Sequence, residues 1–189
     1  MKNLNVPYLS QNDNSINPSG ACNVTSIAMC LKYFGIVGDG SRPQLEDQVY
    51  QRSLSLGVSR HTPEGIKAIV ESYPGMVDIM TRTGSLNDIK KAIDNGQPCI
   101  VHGYFTGFGH IIVIRGYDDN GFFVNDPYGE WYSPGVYHFS SGENLHYSKL
   151  LIATHCNLWS QGQAIDAYNS RDISTLNLRE IWLHQIYRK

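Results

Sequence analysis

The stretch Ser19-Gly20-Ala21-Cys22-Asn23-Val24-Thr25-Ser26-Ile27-Ala28-Met29 decides how this chain is read. It follows Pro18, and its apolar residues Val24, Ile27 and Ala28, continued by Leu31 and Phe34, fall at helical spacing. Gly35 is suited to close such a helix. The spacing therefore predicts a central helix over about 21–34 with Cys22 at its start. Unpaired backbone N–H groups and the positive end of the helix dipole favour thiolate over thiol there. Cys22 is thus a candidate nucleophile, provided the chain also supplies a base and a group to orient it.

Working outward, residues 4–10 read as a short strand or extended segment, and 11–20, dense in Asn, Asp, Ser, Pro and Gly, as a loop. A second helix is expected from Pro43. A third follows Thr62 as N-cap with Pro63 at the first helical position. Ser85 and Asp88 resemble a capping box opening a fourth helix, which Gly96 and Pro98 end. The pattern then changes to strands at 99–104, 110–117 and 122–125, with further short strands at 136–139 and 150–154. Leu178, Ile181, Trp182 and Ile186 suggest a final helix. Helices first and antiparallel strands afterwards define an α+β domain.

Composition bounds the function. The chain has 189 residues, 41% hydrophobic and 17% charged, with a net charge of -2. That length suits one domain spanning 1–189, with 157–189 read as a C-terminal extension without an assigned role. Scattered Lys and Arg give no footprint for nucleic acid or an anionic membrane. No apolar run reaches the roughly 18–20 residues of a membrane span. The N-terminus lacks a signal-type apolar region, so the protein is expected to be cytoplasmic at synthesis, reaching a cell wall only after release. The four cysteines need not pair, no CxxC supports a zinc site, and Cys99-x-x-His102 is a weak motif; no metal or organic cofactor is expected.

Seven histidines compete for the base. His110 follows Thr106-Gly107-Phe108-Gly109, a small-residue loop that frees its ring to face a cleft, and His102 is its rival. If Asp118 to Asn120 form a three-residue turn, Asp126 comes opposite Ile112 and diagonal to His110 on one face. A four-residue turn would put it opposite Val113 and turn it away. Singly, a helix-start cysteine, a strand histidine and an Asp-Pro step are usually structural. Their order and setting together favour a catalytic reading.

Val6-Pro7-Tyr8-Leu9-Ser10-Gln11, then Ala21 to Met29, Gly109 to Asp118 and Phe123-Val124-Asn125-Asp126-Pro127 resemble the bacteriocin-processing-like (double-glycine) cysteine peptidases of bacteria and phages, which have a papain-like fold. The resemblance covers roughly residues 4–130. It implies Cys22 as nucleophile, His110 as general base and acid, Asp126 as orienter of the imidazole, and Gln11 as the side-chain oxyanion donor beside the Cys22 backbone N–H. Many members carry Gly-Pro after the cysteine where this chain has Asn23-Val24, and the Gln11-to-Cys22 loop is long for the pattern. The implied partner is a peptide, either a cell-wall stem peptide or a precursor. Two alternatives stay open: a catalytically inactive peptide-binding module, and a thiol acyl transferase or transpeptidase. Tyr104, Phe105, Phe108, Tyr128, Trp131 and Tyr132 form either an aromatic subsite or core.

Overall fold

A computed structural model describes residues 1–189. The chain runs β1 (Lys2–Asn3), α1 (Cys22–Tyr33), α2 (Leu45–Leu56), α3 (Pro63–Glu71), β2 (Met76–Gly84), α4 (Leu86–Asp94), β3 (Cys99–Gly103), β4 (His110–Tyr117), β5 (Gly121–Asn125), β6 (Glu130–Tyr132), β7 (Val136–His138), β8 (Leu145–Ser148), α5 (Lys149–Asn157), α6 (Gln161–Ser170) and β9 (Ile181–Arg188). The sheet is antiparallel, in the order β2-β9-β3-β4-β5-β8, with β1 on the far end of β4. β6 and β7 form a separate hairpin.

Local chemistry accounts for the helix starts. Thr62 Oγ1 accepts from the Gly65 N–H, with Pro63 at the first helical position. Ser85 and Asp88 complete a reciprocal capping box at α4. Gly57 closes α2 in the left-handed region. α1 is buried from Asn23 to Leu31, so it is the central helix that the periodicity indicates, packed on β4, where Ser26 Oγ donates to the Ile111 carbonyl.

Three expectations change. Residues 150–154 belong to the helix α5, not a strand: every residue from Leu151 to Asn157 is buried, and a short run buried all round has no period to read. Its start was nevertheless encoded, since Ser148 Oγ caps the Leu151 N–H at 3.1 Å. The expected C-terminal helix is instead the strand β9, seated between β2 and β3. β9 is buried on both faces, with Ile181 and Leu183 on one and His184 and Ile186 on the other, which erases the alternation that marks a half-exposed strand. β2 is an edge strand whose β-branched residues Val77, Ile79, Thr81 and Thr83 take the outer face, while Met76 and Asp78 point inward. Residues 4–10 carry no regular strand, and the extended pairing lies earlier, at Lys2–Asn3.

The β4–β5 hairpin differs from the simplest expectation in a way that matters. Tyr117 pairs with Phe122, so the turn holds four residues, Asp118 to Gly121, with Asp118 Oδ1 accepting from the Asn120 and Gly121 N–H groups. A bulge at Arg115 then shifts the ladder by one, and Val113 pairs with Asn125. Extended one step, that register brings Asp126 opposite Ile112.

Candidate active site

Cys22 is the first residue of α1 and is partly exposed, whereas Cys30, Cys99 and Cys156 are buried and none forms a disulfide. Burial pushes all three of those thiols up. The approach to Cys22 is held by Arg60, whose guanidinium donates to the Gly20 carbonyl and, at 2.9 Å, to Asn23 Oδ1. Beside it, His61 Nδ1 lies 3.4 Å from Asn23 Nδ2. Burial first, and then the Arg60 charge, lower the His61 pKa, so the neutral ring accepts this hydrogen bond.

His110 opens β4 after Gly109, whose φ of +82° a side chain rarely adopts, so glycine makes the abrupt entry to the strand. Its Nε2 lies 2.7 Å from Asp126 Oδ1, with both side chains buried. The remaining nitrogen, Nδ1, is left for Cys22, with which the ring lines two adjoining cavities. Burial opposes the charged ring, but the Asp126 carboxylate, and Cys22 after it, outweigh burial and push the His110 pKa up to about 10. The arrangement therefore favours an imidazolium facing the cysteine at neutral pH.

Asp126 is fully buried and accepts from four donors: His110 Nε2, the Tyr128 N–H at 3.0 Å, the Tyr147 hydroxyl at 2.9 Å and the Tyr137 hydroxyl at 3.1 Å. Burial and the Asp126 charge raise both tyrosine pKa values, keeping the hydroxyls as donors. The Asp126 backbone is tied to Gly142, where a Cβ would meet the Asp126 carbonyl oxygen at 1.9 Å. Tyr137 and Tyr147 went unread in the sequence because nothing local marks a tyrosine as the partner of an acid 11 or 21 residues away.

Gln11 is 2% exposed and lines the cavity that Cys22 and His110 share. Its backbone N–H donates to the Pro127 carbonyl at 2.8 Å, coupling it to the residue after Asp126. Its side-chain Nε2 donates one hydrogen to Pro18 O at 2.8 Å, which fixes the amide and leaves the second N–H unused. The long loop from Gln11 to Cys22 is two single 3₁₀ turns, and Asp47 on α2 holds it by accepting from the Ser15 and Ile16 N–H groups. The structure thus brings Gln11, Cys22, His110 and Asp126 together.

Of the aromatic residues singled out, Tyr104 and Phe108 line a cavity of about 180 Å³ with Cys22, while Tyr128 lines the other, of about 230 Å³. Phe108, fully exposed, borders both. Phe105 and Trp131 are core, and Tyr132 lies exposed on β6. Trp159, not singled out in the sequence, and Trp182, expected in a final helix, complete the wall of the first cavity, where His102 also sits. No group of three or more His, Cys, Asp or Glu is arranged to hold a metal ion, and no helix is long and apolar enough to cross a membrane.

Comparison with known proteins bears on the family and the fold. The Peptidase_C39 like family model matches residues 3–150. Among solved structures, a candidate C39-like peptidase from Bacillus anthracis superposes with a TM-score of 0.57 at 17% identity, covering 100% of this chain and 98% of that one, which shows a shared α+β papain-like fold. A double-glycine motif protease from an AMS/PCAT transporter, solved with a leader peptide, aligns with a TM-score of 0.45 at 24% identity, covering 67% of this chain and 76% of that one. No curated protein matches the chain.

Proposed function

The chain belongs to the C39-like peptidase family, and on that premise we propose that it is a cysteine peptidase, working as a single domain, that hydrolyses peptide bonds through a thioester. The observation that carries this reading is the buried 2.7 Å His110–Asp126 pair whose ring shares a cavity with Cys22 at a helix N-terminus. The Cys22 thiolate attacks the scissile carbonyl carbon, forming a C–S bond as the carbonyl π electrons move onto oxygen. That oxyanion is met by the Cys22 backbone N–H, which has no partner within the helix, and by the second Gln11 Nε2–H. Collapse breaks the C–N bond, and His110 gives its Nδ1 proton to the leaving amine. The now neutral ring takes a proton from water, which attacks the thioester; the acid product leaves and the thiolate–imidazolium pair returns. Asp126 accepts from the His110 Nε2–H throughout, which fixes the ring's orientation and keeps Nδ1 as the nitrogen that gives and takes the proton.

A peptide library and purified peptidoglycan, digested and read by mass spectrometry, test this directly. The intact protein should cut at defined sites, Cys22→Ala should cut at none while keeping its circular dichroism, and iodoacetamide near pH 6 should label Cys22 ahead of the three buried thiols. Equal labelling of all four, or cleavage by Cys22→Ala, refutes the mechanism.

A further inference from the structure

A second set of titratable side chains lies beside the site, and the chemistry above leaves it idle. Asp78 on β2, His184 on β9 and His102 on β3 are successive diagonal neighbours across three strands, since Asp78 pairs with Ile186 and His184 with Ile100. His184 Nδ1 lies 2.6 Å from Asp78 Oδ2, and His184 Nε2 lies 3.1 Å from His102 Nε2. Asp78 and His184 are sealed, whereas His102 lines the 180 Å³ cavity that Cys22 and His110 also line. The His102 Nδ1 has no protein partner.

The order of protons follows from one end. The Asp78 carboxylate only accepts, so His184 carries its hydrogen on Nδ1. Where His184 carries no second hydrogen, it offers a lone pair at Nε2, and His102 fills it with its Nε2–H. In that order His102 keeps a bare Nδ1, on a ring that lines the cavity. Burial foremost lowers the His102 pKa to about 3 and keeps this ring neutral. Around it the cavity wall is aromatic: Trp182 stands edge-on to His102 at 5.4 Å, and Trp159 packs on Trp182 at 4.6 Å.

We propose that Asp78, His184 and His102 form a hydrogen-bond relay presenting an acceptor in the cavity beside Cys22, selecting a substrate side chain with a flat apolar body and an N–H or O–H tip. The inference rests on the peptidase reading and names its substrate class. A tyrosine side chain satisfies the lone pair; phenylalanine leaves it buried and unmet.

Peptide pairs that differ only as Tyr or Phe, scanned through each position flanking the cleaved bond, test the selection. At one position the intact protein should favour Tyr in kcat/KM by about tenfold, and His102→Phe should bring that ratio near one. A ratio near one at every position, or a Tyr preference that survives His102→Phe, overturns the proposal. Nitrogen-15 NMR of the intact protein needs neither variant nor substrate: His102 should be protonated on Nε2 and His184 on Nδ1, and a His102 protonated on Nδ1 overturns the relay. If Cys22 labels selectively but no peptide is cut, the peptidase reading falls and the tautomers alone decide the relay.

Discussion

Replacing Asp126 with Asn keeps the shape of the side chain and removes its charge, so it isolates what the buried carboxylate does. His110 stands at about 10 against an ordinary 6.5 even though burial works the other way, with Asp126 the foremost opposing cause. At 1.36 kcal/mol per pH unit that difference is roughly 5 kcal/mol of preference for the charged ring. If Asp126 supplies about half or more of it, the imidazolium loses on the order of 3 kcal/mol and kcat/KM falls about 10²–10³-fold. The new amide N–H₂ also faces the Tyr137 and Tyr147 hydroxyls, both placed as donors, which adds a steric and polar conflict. The linkage has a definite sign. A raised His110 contributes stability that is full below about pH 6.5 and is lost as pH rises toward about 10. The substituted protein should therefore lose both most of its turnover and the alkaline fall in stability between those values. Peptide hydrolysis, Cys22 alkylation at pH 6 and urea titrations from pH 6 to 10 measure the three consequences. Turnover within threefold of the parent, with an unchanged alkaline limb, would refute the reasoning.

Three further outcomes follow from other parts of the structure. Gly142→Ala should lower activity at least tenfold and cost about 2 kcal/mol or more, read by kinetics and urea titration, because its Cβ would press on the Asp126 carbonyl; a neutral result would mean the loop yields freely. His155, stacked on Phe105 with Nε2 buried and unpartnered, has its pKa lowered to about 4 by burial, against which the Leu151 carbonyl acts. The unfolded chain then binds a proton the native state refuses between about pH 6.5 and 4, so stability falls with pH through that window, and His155→Phe should remove roughly 3 kcal/mol of the fall; an identical acid limb contradicts this. Ile186→Ala in β9 should cost about 2–5 kcal/mol in urea unfolding, as expected for a sealed central strand and not for a peripheral extension.

What the sequence revealed and what it hid divide along physical lines. The helix starts were legible because caps are local: Thr62-Pro63, and Ser85 with Asp88, solve the problem of orphan N–H groups within four residues. β9 and α5 were not, because burial on all sides removes the polar phase of the pattern and leaves type undetermined. Within the site, Cys22 and His110 announce themselves by position, one at a helix start and one after a flexible loop. The partners of Asp126 come from β7 and β8, and the Asp78–His184–His102 array runs across three strands and exists only once β9 is known to be a strand.

The hairpin shows how position can be right when its path is not. A three-residue turn was expected to bring Asp126 opposite Ile112; the actual four-residue turn alone would aim the carboxylate at the opposite face. The bulge at Arg115 inserts the one residue that corrects it. Arg115 is no idle insertion, because its guanidinium is buried and donates to Leu4 O at 2.8 Å and to Asn3 Oδ1 at 3.1 Å. Asn125, the last residue of β5, donates in turn to Val6 O at 3.0 Å and accepts from the Asn144 N–H at 2.9 Å. The segment so anchored leads directly to Gln11, whose N–H meets Pro127 O. One set of buried bonds therefore fixes the His110–Asp126 register and the position of Gln11 together, so a change at Arg115 or Asn125 reaches both halves of the site without touching either.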